Sequence, residues 1–427
     1  MPLSSTRNLP VDRAAVDAAY ETLRSVVRRT PLELSERLSA LYDARIYLKR
    51  EDLQTVRSYK IRGAYNRMSR LTDDERRRGV VCASAGNHAQ GVALSCRLLD
   101  TAGVVFMPQN TPRQKVQRVR ALGGRWVRIE LIGDTFDAAR SKAAAYAEST
   151  GMTIVPPFDD PNVIAGQGTV AREIVEQLPG ETIDRILIPV GGAGLISGMA
   201  VYLAAARPEI RLTGVEPQGA PSLLAALAAG HVVTLDQIDT FVDGAAVRAT
   251  GQITFAICKA LIPGTIESIL TVTEGHICTA MIGLYQSDGI IAEPAGALSV
   301  TALDAVRDEI RGKTVVCVVS GGNNDISRYP EILERSLVQQ GLKHYFLIEF
   351  SQRAGALRQY LDEALGPRDD ITLFEYVKKN NREFGPALVG IELADREDLP
   401  GLLKRMTTIG LRYQNVEQGS LLHRFLV

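Results

Sequence analysis

The sequence predicts an α/β protein built on parallel sheets, followed by a smaller, separate α+β unit. Three observations carry this. Short apolar runs alternate with helix-like segments from about residue 45 to about residue 325. Glycine-bearing segments follow several of those runs. After Tyr329-Pro330 the order of elements changes. Strands interleaved with helices argue for parallel sheets covered on both faces.

The elements read in order as follows. GVVCAS (79–84) is a short apolar strand, and a helical stretch runs from Asn87 to Leu99. GVVFMP (103–108) is a second strand. The next helix is predicted to start with Thr111 as cap and Pro112 in its first position. Val116, Val119 and Leu122 then recur at helical spacing, and Gly123-Gly124 ends the run. RWVRIE (125–130), RILIPV (185–190), RLTGVEP (211–217) and KTVVCVVSGG (313–322) continue the strand series. Beyond Pro330, EILERSLVQQ reads as a helical linker. HYFLIEF, ALRQYLDEAL, ITLFEYV, ALVGIEL, LPGLLKRM and a closing strand then give strand, helix, two strands, helix, strand. That is about 90 residues, within the ordinary range for a domain.

The 427 residues are 45% apolar, enough for two or three packed domains. Lys plus Arg and Asp plus Glu balance at 49 each, so no global field favours a polyanion or a membrane surface. Nucleic acid and membrane are therefore not expected partners. No charge lies between Arg185 and Arg207, but Pro189 and the glycines at 191, 192 and 194 break that stretch. A buried strand, a loop and a helix fit it better than a bilayer span. Five cysteines lie far apart and suggest no metal site; their odd number and the absence of a leader-like apolar core in MPLSSTRNLPVDRAAV point to reduced thiols in a cytoplasm.

Four segments could carry chemistry. In SYKIRGA (58–64), Lys60 stands between an aromatic and an aliphatic residue. Partial desolvation there favours the free amine, a usable nucleophile, although a lysine taken alone is more often exposed. SAGNHAQG (84–91) follows a strand and opens a helix. The backbone amides of Ser84, Ala85, Gly86, Asn87 and His88, with the Ser84 and Asn87 side chains, form a ready carboxylate site. His88 is read first as a structural hydrogen-bond donor, since no carboxylate partner stands near it in sequence. PVGGAGLISG (189–198) aims backbone donors from a glycine loop at a helix start, which suits a phosphate. It lacks the Gly-Lys-Ser/Thr ending of a Walker loop and the spacing of a dinucleotide fingerprint, so a monophosphate fits best. VVSGGNND (318–325) puts the Ser320 hydroxyl at the carboxyl edge of the sheet, where α/β folds bind ligands.

In this order the four segments resemble the fold-type II pyridoxal-phosphate enzymes, and within them the biosynthetic threonine ammonia-lyases, also called threonine dehydratases. The C-terminal stretch QRAGALRQYLDEALGPRDDITLFEYVKKNNREFGPALVGIEL resembles the ACT-like regulatory domain of that family. The resemblance implies a catalytic domain over residues 1–335, with a small subdomain at about 52–160 inserted in a larger one, and a regulatory domain over 336–427. It implies that Lys60 holds pyridoxal 5'-phosphate covalently and removes the Cα proton. Asn87 would bond the ring hydroxyl, and Gly191, Gly192, Ala193, Gly194 and Leu195 would cradle the phosphate. Ser320 would face the pyridine nitrogen. The loop Ser84–His88 would take the substrate carboxylate, with Ser84 a second candidate for the chemistry. Glu293, in AEPAGA, is a candidate near the ring or a cation, or simply an acid at a helix start.

Two positions depart from the family pattern. Tyr59 stands where phenylalanine is commoner, and Ala193 interrupts a loop usually written with four glycines. Alanine is strained there if the position needs a positive φ, and costs little otherwise. The implied activity is elimination of water and then ammonia from L-threonine, giving 2-oxobutanoate, with isoleucine as effector. A homodimer or homotetramer is implied by the resemblance alone. Dehydratases of serine or 3-hydroxyaspartate and serine racemases share the scaffold; the regulatory unit argues against them. An amino-acid-sensing binding protein would not need Lys60.

Overall fold

The computed structural model describes residues 9–378, 382–417 and 419–426. Residues 1–8 of the amino-terminal run, and 379–381 within the quoted C-terminal stretch, lie outside the described residues. The chain forms two compact units, one ending at Asp325 and one beginning at Ile326.

The first unit holds two sheets. The larger has six strands in the order β1-β2-β10-β7-β8-β9, namely Leu32–Leu34 (β1), Arg45–Arg50 (β2), Arg185–Pro189 (β7), Arg211–Pro217 (β8), Ile266–Val272 (β9) and Thr314–Val319 (β10). All neighbours are parallel except β1, which runs antiparallel to β2 at the edge. The second sheet is all parallel, ordered β5-β4-β3-β6: Val80–Ala83 (β3), Gly103–Met107 (β4), Val127–Leu131 (β5) and Thr153–Ile154 (β6). Its strands come from one continuous stretch inserted between β2 and β7. Strands β7 and β10 are buried at every position, which is why each, after its first residue, reads as an unbroken apolar run, ILIP and VVCVV.

The charge-free stretch after Arg185 is strand β7, a glycine loop and the 13-residue helix Gly194–Ala206. Among the described residues no helix is long and apolar enough to cross a membrane. One expected helix start is corrected. The helix begins at Arg113, and Pro112, extended at ψ 135, is its cap residue. Thr111 does not cap it, because its hydroxyl donates back to the Pro108 carbonyl at 2.7 Å. The helix then buries Val116, Val119 and Leu122 and ends at Gly124, whose φ is +55.

The second unit opens with the helix Tyr329–Gln339. Its sheet is antiparallel, ordered β12-β13-β11-β14: Lys343–Ser351 (β11), Asp370–Tyr376 (β12), Phe384–Glu392 (β13) and Arg412–Asn415 (β14). Helices Ala356–Glu363 and Leu399–Thr408 complete the strand-helix-strand-strand-helix-strand order. Its core gathers Phe346, Phe350, Tyr360, Val389 and Met406.

Candidate active site

Lys60 is the first residue of the helix Lys60–Ser69. The backbone before it is pinned to the end of β10. Ser58 bridges to Gly321, the Tyr59 amide donates to the Ser320 carbonyl at 3.2 Å, and the Gly322 amide donates to Arg57 at 2.9 Å. Arg57 takes a left-handed φ of 55 to make this turn. The half-buried Lys60 Nζ donates to the Pro157 carbonyl at 3.0 Å and lies 5.1 Å from the centre of the Tyr59 ring.

Two residues on, Arg62 anchors the same helix from below. Its guanidinium, 0% exposed, meets Glu51 at 2.7 and 2.8 Å and Glu173 at 2.7 and 2.9 Å. Lys49 Nζ completes the group at 2.6 Å from Glu173. Burial alone would raise the Glu51 carboxyl; Arg62 and Lys49 outweigh it and hold the acid below its ordinary range. Losing one partner would leave a buried uncompensated charge, so the group locks the helix that carries Lys60.

Strand β3 leads into the loop of Ser84–His88 and the helix Asn87–Leu98. Gly86 precedes this helix without a side-chain cap bond, and a Cβ there would meet nothing within 4 Å, so the space beside the helix start is open. The Gly86 amide donates to Ser84 Oγ at 3.2 Å. Asn87 Nδ2 donates to Glu293 Oε1 at 2.6 Å, while Asn323 Nδ2 donates to Asn87 Oδ1 at 2.6 Å. These two bonds fix which way the Asn87 amide points. The His88 ring is turned inward, its Nε2 donating to the Val155 carbonyl at 2.8 Å. Burial, with Lys60 nearby, pushes the ring's pKa down to about 3, so it is neutral. What His88 can offer the loop is its backbone amide.

The glycine loop joins β7 to the helix Gly194–Ala206, whose N-terminus no side chain caps. Ala193 is the one position of this loop with a positive φ, 65, and it is 3% exposed. The strained branch of the sequence expectation is therefore realised, at a cost of about 1–2 kcal/mol for a left-handed non-glycine residue. The glycines serve a different need: a Cβ on Gly191 would lie 2.7 Å from the Ala245 carbonyl, and one on Gly192 would lie 2.2 Å from the Phe158 ring.

Ser320 directly follows β10, buried, with its hydroxyl donating to the Ala295 carbonyl at 3.3 Å. Glu293 precedes the helix Pro294–Thr301 but makes no side-chain cap bond to it. It is 4% exposed and spends its carboxylate on Asn87. Burial, then the charge of Asp243, pushes its pKa up to about 7 against the pull of Asn87. Its amide donates to the Gly321 carbonyl at 3.1 Å, which brings it beside Ser320.

Lys60, Ser320, Asn87 and the glycine loop thus meet through short links, although more than 250 residues separate the first pair. An amine, an uncapped helix N-terminus on a loop with no room for side chains at 191 and 192, a fixed amide and a buried neutral hydroxyl fit an aromatic aldehyde bearing a monophosphate. Sequence reasoning missed Asn323, Phe158, Asp159 and the Arg62 group. The run PPFDDP (156–161) was the available signal for two of them, since two adjacent acids before a proline mark a helix start.

Comparison with known proteins agrees with this geometry. The family described as "Pyridoxal-phosphate dependent enzyme" matches residues 23–321, and "C-terminal regulatory domain of Threonine dehydratase" matches residues 334–426. The chain is 54% identical over 426 residues to the biosynthetic L-threonine dehydratase of Mycobacterium leprae, covering 100% of this chain and 99% of that one. It is 52% identical over 409 residues to the enzyme of the same name from Bacillus subtilis, covering 96% of each. Among solved structures, the processed threonine deaminase isoform 2 of Solanum lycopersicum superposes with a TM-score of 0.71 at 41% identity, covering 76% of this chain and 87% of that one. Serine racemase from Dictyostelium discoideum superposes at 0.67 with 30% identity, over 74% of this chain and 100% of that one.

Proposed function

This chain belongs to the pyridoxal-phosphate dependent enzymes and carries the C-terminal regulatory domain of threonine dehydratase, and we propose that it converts L-threonine to 2-oxobutanoate and ammonia. The observation that carries the reading is the turn that pins the backbone before Lys60 to Ser320 and Gly321, with Lys60 Nζ on the Pro157 carbonyl and the next residue, Phe158, packed against Gly192 of the glycine loop.

When bound, pyridoxal phosphate supplies an aldehyde for the substrate amine and a conjugated ring that accepts the electron pair left at Cα. Lys60 Nζ would hold the cofactor covalently in the resting protein and, as a free amine, would take the Cα proton of the substrate. Backbone amides at the start of the helix Asn87–Leu98, with Ser84, hold the substrate carboxylate. The amides of residues 191–195 would hold the phosphate against the uncapped helix end. Asn87, oriented by Glu293 and Asn323, would face the ring hydroxyl. Ser320 would present a neutral hydroxyl to the pyridine nitrogen. The proton taken by Nζ is available to the departing β-hydroxyl, which leaves as water. That water is regained when the released enamine hydrolyses, so the net products are 2-oxobutanoate and ammonia.

Isoleucine is the proposed effector of the second unit, in keeping with a committed step on the route to that amino acid. The same reading makes the protein a cytoplasmic homodimer or homotetramer. The decisive experiment is borohydride reduction of the holoenzyme with peptide mapping, joined to a panel of threonine, serine and 3-hydroxyaspartate. A label on Lys60 and highest kcat/KM on threonine are expected. A hydrophobic pocket discriminates one methyl by only ~1–3 kcal/mol, so lesser serine turnover is expected too. A label elsewhere, or preference for serine or 3-hydroxyaspartate, overturns the proposal.

A further inference from the structure

The segment Pro157–Asp160 touches the site from beneath and has no part in the chemistry assigned above. Its first residue offers the carbonyl that holds Lys60 Nζ at 3.0 Å. The next, Phe158, lies against the glycine loop. A Cβ built on Gly192 would come within 2.2, 2.3 and 2.4 Å of three of its ring carbons, and one built on Gly194 within 3.0 Å of its Cβ. Neither glycine has a positive φ. Gly192 is therefore required by the ring beneath it, since its backbone conformation is open to any residue.

The segment is itself clamped on both sides. Asp159 accepts the amides of Gln252, Ile253 and Thr254 at 2.9, 2.9 and 3.2 Å, and the Thr254 hydroxyl donates to the Gly192 carbonyl at 2.9 Å. Asp160 accepts Asn162 and Val163 amides at 2.8 and 3.0 Å and pairs with Arg67, on the Lys60 helix, at 3.0 Å. A ring held this firmly under a loop of small residues fixes the height and tilt of that loop.

We propose that Phe158 is a positioning residue for the phosphate-binding loop 191–194, acting as the floor on which Gly192 rests. The inference rests on the reading of that loop given under Proposed function. Removing the ring leaves Gly192 free to sink, and donors aimed at a phosphate lose alignment. Misplacement by about 1 Å is enough to cost orders of magnitude at a preorganised site. The Lys60 amine is held by the backbone carbonyl of Pro157, which a side-chain change at 158 leaves in place.

The test separates the phosphate from the rest of the cofactor. Apoprotein of wild type, Phe158→Ala, Phe158→Leu and Phe158→Tyr is titrated with pyridoxal phosphate and, separately, with pyridoxal, which has the aldehyde and ring but no phosphate. Visible absorption of the lysine-bound chromophore reads both. Phe158→Ala and Phe158→Leu are expected to bind pyridoxal phosphate on the order of tenfold or more weakly, with pyridoxal affinity unchanged. Phe158→Tyr, which keeps the ring, should match wild type. Thermal unfolding of the apoproteins identifies any variant that fails to fold; Phe158→Leu then carries the comparison. Equal losses for the two ligands, or no loss for either, overturn the inference while leaving the proposed function standing. A wild type that takes up pyridoxal phosphate at no lysine brings down both.

Discussion

Asn87 Nδ2 and Glu293 Oε1 meet at 2.6 Å across 206 residues of chain, inside the first unit, with the Glu293 carboxyl buried and Asn87 half-buried. The bond orients the amide proposed to face the cofactor, and it places an acid of raised pKa next to it. Burial, then the charge of Asp243, pushes the Glu293 carboxyl in the folded protein up to about 7, from about 4.5 for a free side chain.

A consequence for stability follows from that raised value. Between those two pH values the folded apoprotein holds a proton that the unfolded chain has lost. Glu293 therefore favours folding fully below about 4.5, and its contribution is lost as pH rises through about 7. Glu216, raised to about 7 mainly by burial, acts in the same direction. Glu293→Gln should reduce the fall in unfolding free energy between about pH 5 and pH 8 by ~1–3 kcal/mol. Urea unfolding of apoprotein at the two pH values measures this; an unchanged difference would refute it.

His88 is expected to have the opposite sign and no catalytic ionisation. Its ring is held at about 3, so its contribution to stability is complete above the ordinary histidine value and lost as pH falls toward 3. His88→Gln should leave the shape of the kcat/KM profile unaltered above about pH 6 while flattening the acid side of the stability curve. Disappearance of an ionisation near neutrality in the variant would show that His88 titrates during turnover.

Ala193 carries the left-handed conformation where glycine would be free of strain. Relief of about 1–2 kcal/mol in Ala193→Gly is offset by about 0.5–1 kcal/mol of backbone entropy and ~0.8 kcal/mol for the buried methyl. The variant should therefore be within ~1 kcal/mol of wild type, unlike an ordinary helical Ala→Gly change. Ala193→Val, β-branched in the same conformation, should cost clearly more. Denaturant midpoints of the two apoproteins decide it, and a harmless valine would contradict the assignment.

Ser320, proposed to face the pyridine nitrogen, offers a neutral hydroxyl; a carboxylate there would hold that nitrogen protonated and deepen the electron sink. Prompt loss of the β-leaving group is favoured by the shallower sink. Ser320→Asp should slow elimination from threonine under saturating cofactor. Turnover equal to wild type in single-turnover kinetics would remove this role.

Feedback control should part from catalysis at the boundary between the two units. A chain ending at Asp325 is expected to retain 2-oxobutanoate production and to lose inhibition by isoleucine, as separate sites require. Inhibition persisting in the shortened enzyme would place the effector site in the first unit.

The amino-acid sequence by itself determined the strand-helix alternation, the presence of a second unit of different element order, although the division falls after Asp325 and not after Tyr329-Pro330, and the four segments around Lys60, Ser84–His88, the glycine loop and Ser320. These are legible because hydrogen bonding along a helix or strand imposes a short period on apolar residues, and because a glycine loop before a helix announces its use within ten residues. Only the tertiary structure decided that Glu293 serves Asn87 instead of capping its own helix. The same holds for the burial of Arg62 between Glu51 and Glu173, and for Phe158 taking the space a side chain at 192 would need. Even the cost of Ala193 turned on the sign of one φ angle. Each of these depends on where two sheets and their covering helices bring segments far apart in the chain, and no local period encodes that.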